Sequence, residues 1–377
     1  MGDTHSTGSR KGFVSAVRTV VIKLGTQLLS DAQGRLDIPF IGSIARQVAE
    51  LRRRGIQVTI VSSGAVGAGL RELNISKRPT DLAKLQAVAA VGQRRLMDVW
   101  GEAFEPYALP VAQLLLTRDD IDSRTRFLNL RNTVHAVHEL GAVPIINEND
   151  TVSTDEMVRI TFGDNDILAA MVTHAIRANL LVLMTVVDGL LDAGGQPVRL
   201  VESIDHARAL IRPEKSALGK GGMDSKLRAA RTVTESGEAM IVAHGRMDDL
   251  LPRLLDGEEL GTLFVPAQKK RSSRTRWIGS VQPVGSVTVD EGCARALVER
   301  NKSLLPAGVV CVNGQFSRGD VISIVAPDGQ TIARGLSNYD SLDVEKIRGK
   351  KSAEVRTTFK DSAVYDEVVH RDNLVVG

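Results

Sequence analysis

The stretch VVIKLGTQLL, Val20–Leu29, decides how the chain is read. Val20, Val21 and Ile22 are apolar and β-branched, the composition of a buried strand. Lys23 then puts a cation on that strand, and Gly25 follows two residues later. Such a lysine has two readings. It snorkels from a strand end into water, or it holds an anion just outside the strand's carboxyl end.

Working outward, the same theme recurs. Val58–Ser63 follows an amphipathic helical segment, Ile38–Arg54, whose RRRG end reads as a helix terminus with Gly55 in the left-handed position after it. Val143–Asp150, Leu180–Gly189 and Ala239–Gly245 each follow a helix-like segment. Continuous apolar strands alternating with helices predict an α/β fold, an open and mostly parallel sheet sandwiched by helices. Ligands of such sheets bind outside the carboxyl ends of the strands. Here those ends carry KLGT, SSGAVGAG, NEND and TVVDG, so Lys23 sits where the fold places its site.

Composition narrows the function. The chain has 377 residues, 43% hydrophobic and 25% charged, room for two or three soluble domains. A net charge of +3 gives no global basic field for nucleic acid, and 3% aromatic residues argue against a base-stacking surface. Cys293 and Cys311 stand far apart with no C-x-x-C pair, which predicts plain thiols in a reducing compartment. No apolar run is long enough to span a membrane. The opening MGDTHSTGSRKG is polar and reads as a disordered tail over 1–16, not a signal peptide; its fit to a myristoylation pattern is taken as chance. The expected location is the cytoplasm.

After about residue 266 the pattern changes. QKKRSSRTR reads as a linker over 267–282, and the short strands GSVTVD, GVVCVNG, GDVISIV and QTIARG predict a small β-rich domain over 283–377. The first domain is then 17–266.

Two glycine clusters suit anions. SSGAVGAG, Ser62–Gly69, joins a strand to a helix; its glycines let backbone N–H groups approach an anion, or serve only tight packing. GKGGMDSK, Gly219–Lys226, offers flexible donors beside two lysines, or a solvated loop, with Lys226 in the first turns of a helix running to about Ser236. INENDTVSTDE, Ile146–Glu156, and GDNDILAA, Gly163–Ala170, add carboxylates and amides: helix caps, or hard oxygen ligands for Mg²⁺ and partners for an amino acid. HRDN at His370–Asn373 lacks the D-F-G of a protein kinase. His135 and His138 are read as sharing a face of a surface helix, without a third zinc ligand.

Taken in order, VVIKLGT, VSSGAVGAG, AAVGQ (Ala89–Gln93), LLTR (Leu115–Arg118), INEND, GDND and GKGGMDSK resemble the glutamate-phosphorylating branch of the amino-acid kinase family. The end of the chain, with VTVDEG, SLLPAGV, GQFSRGD and HRD, resembles the PUA domain fused to many bacterial members. The resemblance implies transfer of a phosphoryl group from ATP to the γ-carboxylate of L-glutamate, the first step of proline synthesis, with ATP and Mg²⁺ required. It implies that Lys23, Thr185 and Val186 and the loop Gly219, Lys220, Gly221, Gly222, Met223, Asp224, Ser225 and Lys226 bind ATP. Ser63, Gly64, Asn147, Asp150 and Asn165 would bind glutamate. Lys23 and Lys226 would be catalytic, Asp164 would orient them, and no protein metal ligand is assigned. Proline as feedback inhibitor and a homo-oligomer, dimer or tetramer, are further implications.

Two positions depart from the family. Thr185-Val186 stands where Thr-Asp is usual, and Lys220 where Thr is frequent. Other acceptors remain open: N-acetylglutamate, aspartate, carbamate or UMP. So does an RNA-binding regulatory protein whose kinase-like part senses a metabolite. A carboxylate acceptor is ionised at neutral pH, its pKa being about 4.3, so no general base is needed. Alignment and charge neutralisation carry the expected chemistry.

Overall fold

β1, Thr19–Leu24, is buried along nearly its whole length. In the computed structural model it lies mid-sheet, pairing parallel with β2 (Gln57–Ser62) on one side and β5 (Leu180–Thr185) on the other. The structure describes residues 6–152, 165–192, 194–210, 220–266, 273–358 and 365–376. The chain divides into two units, Met1–Lys270 and Arg271–Gly377.

The first unit is built on a sheet of order β3-β4-β2-β1-β5-β7-β8-β6. The remaining strands are β3 (Val111–Leu116), β4 (Val143–Glu148), β6 (Leu200–Val201), β7 (Ala239–His244) and β8 (Thr262–Phe264). All pairings are parallel except β7 with β8. The central strands β1, β5 and β7 are largely apolar and buried because helices cover both faces, whereas β3 at the edge leaves Gln113 exposed.

Alternation along β1 sorts its side chains. Val20, Ile22 and Leu24 join the core formed with Ile41, Ile44, Val48, Leu96 and Trp100 from the helices Ile38–Arg53 and Leu82–Phe104. Val21 and Lys23 therefore face the other way, toward the helix Asn165–Ile176. Asp37 caps the first of these helices by accepting from the Phe40 N–H, and Gly55, at φ +78°, follows its C-cap, Arg54.

The glycines of SSGAVGAG divide their labour. Gly64 sits at φ +103° ahead of the helix Ala65–Glu72, a conformation that strains other residues. A Cβ on Gly69 would overlap the Val88 carbonyl, and one on Gly92 the Ala65 carbonyl, so these two let the helices Ala65–Glu72 and Leu82–Phe104 touch. Gly67 meets nothing and lines a cavity instead.

Several expectations are corrected. The segment read as a disordered tail contains a helix, Ser6–Ser15, with Val14 buried and the Arg10 guanidinium bonded to the Leu260 carbonyl. Part of the segment read as a linker is the helix Ser273–Ser280, which buries Trp277 and Ile278. His135 and His138 do not share a surface: His138 is buried, its ring bonded to Thr59 at 3.0 Å, while His135 is exposed. Burial, then the nearby Arg52 charge, push the His138 pKa down to about 4. Most of GKGGMDSK is helix, not loop. The helix Lys220–Glu235 starts inside it, and buried Ser225, Leu227, Ala229, Ala230 and Val233 offset the glycine cost of about 1 kcal/mol each.

The second unit is a sheet of order β10-β9-β11-β12-β13: β9 Gly285–Val289, β10 Val309–Asn313, β11 Val321–Val325, β12 Thr331–Leu336 and β13 Leu374–Val376. Only β11 and β9 pair parallel. Its own core joins Val287, Leu297, Ile322, Ile324, Val344 and Val369. The helices Glu291–Arg300, Ser341–Ile347 and Ser352–Thr358 were not evident from the strand pattern. HRDN forms a single turn of 3₁₀ helix whose His370 side chain accepts from the Asp372 N–H.

Candidate active site

The lysine at the strand end has a partner. Lys23 Nζ lies 2.6 Å from Asp166 Oδ1, and Lys226 Nζ lies 3.0 Å from Asp166 Oδ2. One carboxylate, 1% exposed, thus holds two ammonium groups from segments about two hundred residues apart. Lys226 also donates to the Gly222 carbonyl at 3.2 Å, and Ser225 Oγ donates to the same carbonyl at 3.1 Å. Burial pushes the Asp166 pKa up, but the charges of Lys23 and Lys226 and their hydrogen bonds outweigh it and hold the carboxyl below its usual range. The triad carries a net charge of +1 above the strand ends. The N-terminus of the helix Asn165–Ile176 adds a partial positive charge.

Beside the triad lies a polar cavity of about 350 Å³ lined by Thr26, Ser63, Gly64, Gly67, Arg78, Asn147, Asp150 and Asn165, among others. Asn165 and Asp166 are neighbours on one helix, rotated about 100° apart. That rotation aims Asn165 at β2 and β4 while Asp166 faces β1. Asn165 Nδ2 donates to Ser63 Oγ at 2.7 Å, to the Ser62 carbonyl at 2.9 Å and to Asn147 Oδ1 at 3.2 Å. Asp150 stands apart electrostatically. Burial, then Glu148, raise its pKa to about 6, against the pull of Arg78.

The structure therefore brings Lys23 and Lys226 together, and Ser63, Gly64, Asn147, Asp150 and Asn165 together. Thr185 ends β5, one strand from Lys23, and Val186 is exposed just beyond it. Gly221, Gly222, Met223, Asp224, Ser225 and Lys226 lie in the first turns of the helix Lys220–Glu235, which Lys220 opens. Their N–H groups from Asp224 onward are used inside the helix, so only the first turn has backbone donors to spare. Asp164 and Gly219 lie outside the described residues. The carboxylate that joins the lysines is Asp166, which the sequence reading missed. It also missed Arg78 and Thr26. The signal for Asp166 was its place inside GDND, but without the helix's starting point the two aspartates of that motif are equivalent. Among the described residues no three His, Cys, Asp or Glu side chains gather as a metal site.

The amino acid kinase family matches residues 18–244, and the PUA domain matches residues 285–359. The glutamate 5-kinase of Geobacter sp. strain M21 is 44% identical over 375 residues, covering 97% of this chain and 100% of that protein. The glutamate 5-kinase of Methylococcus capsulatus is 43% identical over 369 residues, covering 95% of this chain and 97% of that protein. The Pseudomonas putida F1 glutamate 5-kinase is 43% identical, covering 96% and 99%. Among solved structures, an N-acetylglutamate synthase from Neisseria gonorrhoeae superposes with a TM-score of 0.50 at 14% identity, covering 71% of this chain and 65% of that one, a likeness of fold alone.

Proposed function

We infer the reaction from one premise: the chain belongs to the amino acid kinase family and carries a PUA domain after it. It transfers the terminal phosphoryl group of ATP to the side-chain carboxylate of L-glutamate, giving L-glutamyl 5-phosphate, the first step of proline biosynthesis. The observation that carries the mechanism is the Lys23–Asp166–Lys226 triad beside the amide-lined cavity.

The obstacle to this transfer is electrostatic, because an anion must approach the phosphate chain of another anion. Lys23 and Lys226 meet the transferring phosphoryl from two segments and offset its charge. Asp166 keeps them adjacent before ATP arrives; without it two neighbouring ammonium groups repel. A preorganised charge of this kind is worth on the order of 3–4 kcal/mol of barrier, or about 10²–10³ in rate. No residue need take a proton from the acceptor, which is already ionised. Asp150 and Asn165 receive the substrate's ammonium group, and Ser63, Gly64 and Asn147 line its polar edge. Asp164 orients the lysines without touching substrate. Thr185 and Val186 form the nucleotide side with the segment 219–226. Mg²⁺ would enter with ATP and would supply charge neutralisation on its phosphates; among the described residues Asp166 is engaged by Lys23 and Lys226, and no protein ligand is assigned to the ion.

Inhibition by proline, a homo-oligomeric dimer or tetramer, and a cytoplasmic location belong to the same proposal and rest on the family. No helix among the described residues is long and apolar enough to cross a membrane. RNA is a candidate ligand of the second unit on the PUA match alone; filter binding across a salt series tests it. The reaction itself is tested by incubating the protein with Mg-ATP, hydroxylamine and glutamate, acetylglutamate, aspartate or, separately, UMP. Glutamyl hydroxamate formed from glutamate alone is the expected result. Activity only on another acceptor overturns the assignment.

A further inference from the structure

From Asn147, which lines the cavity, a row of side-chain amides runs to the surface. Asn147 Nδ2 donates to Gln93 Oε1 at 2.8 Å, and Gln93 Nε2 donates to Gln113 Oε1 at 3.2 Å. Gln93 is 8% exposed, Asn147 3% and Asn165 7%, while Gln113 lies at the surface on β3. An amide can turn end for end, so the row has meaning only if something fixes its direction. Two backbone groups do. The Glu148 N–H, which can only donate, points at Asn147 Oδ1 at 2.9 Å. The Ser62 carbonyl, which can only accept, receives Asn165 Nδ2.

The rest follows by elimination. Asn147 must present its oxygen to Glu148 and Asn165, so its nitrogen needs an acceptor elsewhere, and Gln93 Oε1 is that acceptor. The two hydrogens of Asn165 Nδ2 are shared among three protein oxygens, the longest contact being to Asn147, which leaves Oδ1 buried with no partner among the described residues. A buried acceptor in a cavity lining calls for a donor from the ligand. The ammonium group of an amino acid is such a donor.

We propose that Gln93 is a positioning residue for glutamate: it accepts from the amide nitrogen that Asn147, its oxygen committed to the Glu148 N–H, turns away from the site, and so keeps Asn147 seated against Asn165, whose Oδ1 faces the substrate's ammonium group. Gln93 does not touch substrate. It lies on the helix Leu82–Phe104, one residue past Gly92, whose missing Cβ lets that helix approach the cavity. This inference rests on glutamate being the acceptor.

The test is steady-state kinetics of the full chain, wild type beside Gln93→Leu and Gln93→Glu. Leucine removes the acceptor, leaving a buried donor unpaired. The KM for glutamate should rise about tenfold, with the KM for ATP unchanged and kcat within about threefold. Glutamate at 93 keeps an oxygen for Asn147, and its KM for glutamate should stay within about threefold of wild type. A Gln93→Leu protein with lowered thermal stability but an unmoved KM for glutamate overturns the proposal, as does a tenfold rise in Gln93→Glu. Should leucine prevent folding, Gln93→Met, flexible and of similar length, carries the same measurement. A wild-type protein inactive on glutamate overturns both this inference and the reaction it rests on. An active wild type with an unaffected Gln93→Leu overturns this inference alone.

Discussion

Replacing Asp166 by Asn removes one charge without changing the side chain's shape. The carboxylate is 1% exposed and engaged by Lys23 at 2.6 Å and Lys226 at 3.0 Å. An amide can accept from one lysine only; its NH₂ then faces the other ammonium, donor against donor. Breaking a buried ion pair from one side commonly costs about 3–5 kcal/mol, because the partner charge stays behind uncompensated. Two partners stay behind here, so the upper part of that range is expected in urea unfolding of the ligand-free protein. On the proposed roles of Lys23 and Lys226, ATP brings phosphates to the same ammonium groups, so Mg-ATP should restore more stability to Asp166→Asn than it adds to wild type. Turnover should still fall by about 10²–10³, since the lysines are no longer held in place. The acid limb follows from the same pair. The folded carboxyl titrates below its unfolded value near 3.9, so its contribution is complete above that pH and is lost as pH falls through the folded value. Asp166→Asn should lack that limb. A variant within about 1 kcal/mol of wild type in urea and within threefold in kcat would show that the triad neither stabilises the apo site nor prepares it.

The remaining predictions concern Asp150 and His138. Asp150, its pKa raised to about 6, must be ionised to receive an ammonium group. The kcat/KM for glutamate should therefore fall about tenfold per unit as pH drops below 6, well above the pH at which glutamate's own side chain protonates, and Asp150→Asn should lower kcat/KM and lose that limb; an unchanged limb in the variant assigns it to another group. His138 is neutral and buried, with its pKa near 4. Below about pH 6.5 the unfolded chain takes up a proton that the folded one refuses until about 4, so the native state should lose about 3 kcal/mol across that window. His138→Gln should flatten the loss in pH-dependent unfolding, and an identical slope would exclude the assignment.

Much of this was legible in the chain because the strands are buried on both faces. Val20–Ile22, Val58–Val61 and Leu180–Met184 are β-branched-rich or apolar runs that read as buried parallel strands, and once their order is granted the motifs at their ends converge. Alternation even placed Lys23 on the face opposite Ile22. What escaped depended on partners distant in sequence. Arg10 reaches Leu260, 250 residues on, so the polar N-terminal segment gave no hint of its helix. His138 finds Thr59 across the sheet, which no helical spacing reveals. Glycines 221 and 222 look like a loop until Ser225 and Lys226 are seen bonded to Gly222 and turned toward Asp166. Asp166 itself was one of two aspartates flanking Asn165, and choosing between them needs the helix phase, which one residue's error rotates by about 100°. The amides Asn165, Asn147, Gln93 and Gln113 lie on four separate elements, and no spacing in the sequence links them.

The claim that everything else serves is that two ammonium groups, held by one carboxylate, offset the charge of the moving phosphoryl. Single-turnover phosphorylation of glutamate at saturating Mg-ATP, measured for Lys23→Ala and Lys226→Ala, tests it most directly. Each rate should fall by about 10²–10³ in a protein that remains folded by circular dichroism. A folded variant of either kind that transfers phosphate at nearly the wild-type rate would contradict it.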